Sequence, residues 1–248
     1  MLKQQLIIWL ALLAVIGVAW LYLFYQYERM ATLPMSEMWM PPAETSDWQW
    51  QDFWWVYLMW AVMMAAMMLP SAIPMILAYA RICRQRKLND RLSSALFSTA
   101  YLLIWLLFSI ALTLLQWQMH GLHFLSPMMD NRNETMAAVI FILAGIYQWM
   151  PVKDFFLQNC RSPVGFLLTE WREGTIGSIQ MGLKHGSMCV GCCWAQMMIM
   201  FAVGVMNLWA MVLIAALVLV EKILPRYQQS FSQAIGIVFL GWGIWLLL

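Results

Sequence analysis

The chain has 248 residues, 63% of them hydrophobic and 10% charged, with a formal net charge of +2. A water-soluble domain carries about 25% charged residues, so this composition excludes an ordinary globular fold and predicts an integral membrane protein. No nucleic-acid partner is expected. Crossing a bilayer takes roughly 20 apolar residues per helix, and seven runs suit it: 6–24, 53–80, 95–117, 136–150, 187–206, 208–224 and 231–248. The predicted fold is all-α, a polytopic transmembrane helical bundle.

The first run follows a single Lys3 and resembles a secretory leader, but the FYQYERM after it is bulky where a cleavage site needs small residues. It is read as a retained anchor. An external segment follows over 25–52, carrying Met35, Met38 and Met40, and its Pro34, Pro41 and Pro42 argue against a continuous helix. In the second run, MWAVMMAAMMLPSAIPM places Met59, Met63 and Met67 on one helical stripe and Trp60, Met64 and Met68 on the next. Pro70 and Pro74 remove donors and obstruct the carbonyls of Ala66 and Pro70. A break is expected there, tolerated only where protein or a polar cavity satisfies the freed carbonyls.

The external loop 118–134 carries His120 and His123 in HGLH, then Met128 and Met129, a weaker candidate for metal capture. After the short fourth run, residues 151–171 mix aromatic and apolar residues with Lys153 and Arg161, which suits a segment lying along the membrane surface. Small residues then recur every fourth position at Gly174, Ser178, Gly182 and Gly186. That stripe predicts a helix starting well before the membrane and packing closely on another.

Sorting basic residues by loop gives the topology. Lys3, Arg81, Arg84, Arg86, Lys87, Arg91, Lys153, Arg161, Arg172, Lys184, Lys222 and Arg226 fall on one side, and Arg29 and Arg132 on the other. Basic loops stay cytoplasmic, so the amino terminus is expected inside and the carboxyl terminus outside. All five cysteines then lie at or near the reducing cytoplasmic face, where structural disulfides are not expected.

The fifth run contains KHGSMCVGCCWAQMMIM. At helical spacing His185, Cys189, Cys193 and Met197 form one line of donors and Cys192 and Gln196 the adjacent line. Thiolate and thioether sulfurs prefer Cu(I), while imidazole also suits copper and zinc. The short turn at Asn207 makes the fifth and sixth runs a hairpin. Fourteen residues on either side of Asn207 lie Cys193 and Glu221, at one depth about 21 Å from the turn. Met67, Met68 and Pro70 come to a similar depth from the external end of the second run. The candidate metal site is therefore His185, Cys189, Cys192, Cys193, Met197, Met63, Met67, Met68 and Glu221, with Lys222 also able to face it. Residues 1–52 are expected to be a membrane anchor and external methionine loop, and 53–248 a metal-binding transmembrane domain.

MWAVMMAAMMLPSAIPM, YQWMPVKDFFLQNCRSP, and the stretch from GLKHGSMCVGCCWAQMMIMFAVGVMNLWAM to LVEKILP resemble the bacterial family of predicted metal-binding integral membrane proteins of unknown function. The likeness covers most of the chain from about residue 54 to 225, with KHGSMCVGCCWA and CRSP its specific parts. It implies metal handling without naming a reaction. The expectation is a soft-metal protein, with Cu(I) favoured over zinc, whose partners are the bilayer, the metal ion and either another membrane protein or further copies of itself. Two other readings stand beside it: thiol–disulfide exchange through Cys189 and Cys192, and an accessory subunit docking a partner by its small-residue stripe. No phosphate loop, zinc-protease helix or serine-nucleophile motif is present, and an enzymatic activity is not expected.

Overall fold

The structure is a computed structural model and describes residues 2–34, 37, 39–42, 44–86, 88–223 and 228–248. Met35, Met38, Lys87 and Arg226 lie outside the described residues. Nine α-helices follow one another among the described residues: α1 (Leu2–Thr32), α2 (Trp50–Gln85), α3 (Asp90–Gly121), α4 (Glu134–Tyr147), α5 (Pro151–Arg161), α6 (Pro163–Thr169), α7 (Gly174–Val203), α8 (Leu208–Ile223) and α9 (Gln228–Trp245), with a 3-10 turn at Thr45–Asp47 before α2.

Local chemistry sets the starts. The Asn89 side chain accepts from the Leu92 N–H at 3.2 Å to open α3, and Asn133 accepts from Met136 at 2.9 Å to open α4. Gln49 and Asp52 cap α2 reciprocally, while Pro151 and Pro163 occupy the first turns of α5 and α6, where a missing N–H costs nothing.

Four of these helices are long and apolar enough to cross a membrane: Leu6–Thr32 of α1, then α2, α3 and α7. Against the seven expected runs, the fourth differs most. Its helix stops at Tyr147 after 14 residues, about 21 Å at helical rise and short of a hydrocarbon core of about 30 Å. The chain then bends by 68° into α5. That helix has an inner face the sequence reading lacked: Lys153, Leu157 and Cys160 are buried against the bundle, while Val152 and Phe155 stay exposed.

The expected break in the second run is absent. Helix α2 continues through Pro70 and Pro74, and the carbonyl of Ala66, which Pro70 leaves without its helical donor, accepts the indole N–H of Trp20 from α1 at 3.1 Å. Two basic residues assigned to cytoplasmic loops are also elsewhere. Lys153 is 0% exposed and Lys222 8%, so neither is a loop charge; the bias of the remaining basic residues keeps its sign.

Helices α2 and α7 are the most buried of the four, with 67% and 61% of their apolar windows buried against 11% for α1. Helix α7 packs most extensively on α3, and the small-residue stripe makes this contact. A methyl group at Gly186 would meet the Ile104 Cβ at 2.9 Å, and one at Gly182 would strike the Phe97 carbonyl and the Ala100 methyl. Ser178, on the same stripe, accepts from the Tyr79 hydroxyl of α2 at 2.8 Å. From Ser178 to Gly186 the stripe is thus occupied within the chain, and of its four residues Gly174 stays exposed.

Gly182→Val should destabilise the protein by about 1–3 kcal/mol, the usual cost of overpacking, seen as a lower thermal midpoint in detergent. Gly17→Ala on α1, where a methyl meets nothing within 4 Å, should not lower the midpoint, since alanine favours a helix interior over glycine.

Candidate metal centre

One turn of α7 supplies Cys189, Cys192 and Cys193, all at most 2% exposed. A fourth cysteine arrives from α5. Gly191 permits this approach: a methyl there would sit 2.7 Å from the Phe156 ring of α5, and the Tyr147 hydroxyl donates to the Gly191 carbonyl just before the bend. The bend and the glycine together place the Cys160 sulfur 3.9 Å from that of Cys192. The sulfurs of Cys160, Cys189 and Cys192 all lie within 4.8 Å of one another, the one group of three or more such donors, among the described residues, close enough to share an ion. With metal–sulfur bonds of about 2.3 Å, ligating sulfurs sit roughly 3.8–4.0 Å apart. The observed spacing fits soft-metal ligation with little adjustment.

Cys193 lies beside this group. Its thiol donates to the Cys189 carbonyl at 2.9 Å, and its sulfur is 3.8 Å from that of Met68 on α2. Around Cys189 the polar contacts are dense for so apolar an interior. The Lys222 ammonium of α8 lies 2.9 Å from the Cys189 sulfur and donates to the Ser71 hydroxyl at 2.8 Å. The Tyr101 hydroxyl of α3 is 3.2 Å from the same sulfur and donates to the Met68 carbonyl at 3.2 Å. His185, one turn before Cys189, is 2% exposed and lies among the rings of Phe97, Tyr101 and Phe166.

A second polar layer sits behind the sulfurs. Lys153 pairs with Glu221 at 2.5 Å and also donates to the Gln148 side chain. The Glu221 carboxylate accepts further from Gln196 at 3.1 Å and from Ser232 at 2.8 Å. This pair is neutral as a unit, so Lys222 contributes the remaining buried positive charge next to the thiols.

Of the residues singled out in the sequence, His185, Cys189, Cys192, Cys193 and Met68 gather at this centre. Glu221 stands one layer back on Lys153, and Met63, Met67 and Met197 fill the apolar core nearby, each at most 1% exposed. Lys222 turns inward to Cys189 and does not extend to an interface. Sequence reasoning missed Cys160, Lys153, Tyr101 and Ser71. The signal for Cys160 lay in the helical spacing of Lys153, Leu157 and Cys160, masked by a cationic residue on a buried face. The HGLH histidines lie apart from the thiols: His120 is buried, with Nδ1 2.9 Å from the Gln116 carbonyl and its ring edge-on to Trp48.

A helical bundle whose interior gathers four free thiols, a thioether and a lysine has the donor set of a soft-metal site. The profile of the PpoB2 family, described as a copper chaperone, matches residues 57–246. The chain belongs to this family, and the family together with the cysteine cluster supports copper handling. No curated protein and no solved structure matches the chain.

Lys153→Met leaves the Glu221 carboxylate buried without its cation and should cost about 3–5 kcal/mol of stability. Adding Glu221→Gln should recover most of that loss; chemical unfolding of the three proteins in one detergent checks both.

Proposed function

We propose that the chain is a multi-pass protein of the bacterial inner membrane that binds Cu(I) as cargo between Cys160, Cys189 and Cys192 and passes it to a recipient protein. The observation carrying this reading is the three-thiol cluster, built from two helices and enclosed in a chain of a copper-chaperone family. Three sulfurs suit Cu(I), whereas a structural zinc site takes four ligands. Bound by three thiolates, Cu(I) forms a unit carrying two negative charges. Lys222, already 2.9 Å from Cys189, offsets one of them where solvent cannot. Cys193 and Met68 stand next in line as exchange ligands, which a chaperone needs if the metal is to leave again.

Thiol–disulfide exchange is the weaker alternative. Cys189 and Cys192 are 0% and 2% exposed, so a partner disulfide has no line of attack on either sulfur.

The membrane topology belongs to the same proposal: α1, α2, α3, α4 continued by the bent α5, α7, α8 and α9 as seven crossings, the amino terminus cytoplasmic and the carboxyl terminus external. The four long apolar helices and the surviving basic bias support it. Residues 1–52 would then form the anchor and external loop, with the metal-binding domain following. A reporter enzyme active only outside the cytoplasm should work when fused after Leu248 and fail when inserted beside Leu88; the reverse pattern would invert the topology.

Protein purified from copper-supplied cells should hold about one Cu(I) per chain, the capacity of one cluster. The triple substitution Cys160→Ser, Cys189→Ser, Cys192→Ser should lose it, while Cys83→Ser keeps it. Unchanged copper in the triple variant would end the reading. Lys222→Met should weaken retention at least about tenfold, equivalent to about 1.4 kcal/mol, measured by competition with a chromogenic Cu(I) chelator.

A further inference from the structure

The cleft between α1, the start of α2 and two later turns holds a second group of sulfur donors. Its volume is about 360 Å³, and Met30, Met59, Met129 and Met206 all line it. They come from four separate places: α1, α2, the loop before α4, and the turn between α7 and α8. Met59 lies nine residues before Met68, about 14 Å along α2 from the thiol cluster. None of the four belongs to the centre described above.

Met129 is held there at a cost. Its φ is +63°, in the left-handed region that long side chains avoid, yet the side chain is 1% exposed. Two backbone hydrogen bonds fix it: the Met129 N–H donates to the Ser126 carbonyl at 2.8 Å, and the Met129 carbonyl accepts from Val205 at 3.0 Å. The second bond ties the loop to the turn that carries Met206, so the backbone segments bearing two of the four thioethers are joined at the cleft. Strained backbone residues cluster at ligand sites and clamps, and Met129 sits at the wall of such a cleft. Arg29 and Glu37 also line the cleft with opposite charges, so the wall offers no net repulsion to a monovalent cation.

We propose that this cleft is a capture site for Cu(I), ligated by the thioethers of Met30, Met59, Met129 and Met206. The inference rests on the copper reading above and names the point where the metal is first held. A thioether is a neutral soft donor that loses no proton on binding, so such a site fills readily, holds weakly and releases to thiolates. Met59 is also the first member of the stripe that continues through the buried Met63 and Met67, at about 6 Å per step, toward Met68 and Cys193. Transfer along it is ligand exchange: copper stays Cu(I), the thioethers leave unchanged, and each thiol that ligates gives its proton to water.

The test uses the full-length protein in detergent and Ag(I), a redox-inert soft cation, as the probe. A variant with all five cysteines replaced by alanine should still bind about one Ag(I), through thioethers alone. Adding Met129→Leu and Met206→Leu should weaken that binding at least tenfold, with the thermal midpoint monitored. If that protein does not fold, Met30→Leu with Met206→Leu, both at half-buried positions, replaces it and should give the same loss. In the chain with its cysteines intact, Met129→Leu with Met206→Leu should leave the tighter, thiol-bound equivalent in place. Unaltered Ag(I) affinity in the methionine variants overturns the capture site. Loss of the cleft equivalent together with no thiol-dependent binding in the parent protein would instead overturn the three-thiol reading and leave the capture site standing.

Discussion

A charge placed among apolar helices must be met by partners or expelled, and Lys153, Glu221 and Lys222 are kept in this way. Lys153 on α5 and Glu221 on α8 face each other at 2.5 Å, with Gln196 of α7 and Ser232 of α9 taking up the rest of the carboxylate. Lys222, the next residue along, points to Ser71 of α2 and Cys189 of α7. Each unpaired ion would cost several kcal/mol, so five helices are constrained by the positions of these few atoms. The inward turn of α5 follows from this requirement, because a helix carrying Lys153 has to deliver that ammonium to Glu221. Cys160, two turns further on, is carried to the other cysteines by the same movement.

The stripe of small residues on α7 acts on the other flank. Gly182, Gly186, Cys189 and Cys193 fall along nearly one line of the helix, so the face that lets α3 come close runs directly into the sulfurs. Close approach at Gly186 is what brings the Tyr101 hydroxyl to 3.2 Å from Cys189. Packing and chemistry here are one feature. A larger residue at either glycine would push Tyr101 away and expose a polar sulfur to apolar neighbours, and a larger residue at Gly191 would do the same to Cys160.

Much of this was legible in the sequence because helical spacing is rigid. The line through His185, Cys189 and Cys193 and the closeness of Met68 to Cys193 come from counting residues at a fixed rise. What counting cannot supply is a bend. The 68° turn after Tyr147 hid the fourth cysteine, since a surface segment and an inward-folded helix share the same amphipathic pattern. Lysine misled for a related reason: in sequence Lys153 and Lys222 look like loop charges, and only three-dimensional partners show why two ammonium groups are tolerated inside. Pro70 and Pro74 do not break α2, because a proline costs a helix one hydrogen bond, and at the carbonyl that Pro70 frees a donor from another helix repairs it.

That donor is Trp20 of α1, and its indole N–H on the Ala66 carbonyl binds the first helix into the architecture. The family match begins at residue 57, past the whole of α1, which otherwise spends most of its surface outward. Ala66 lies one turn from Met63 and two residues from Met68, at the heart of the sulfur-bearing segment. Shape at that point is thus set from outside the matched region: any relative built without an equivalent to Trp20 has to hydrate that carbonyl, straighten its proline or find another donor, and the path of its methionines would change accordingly.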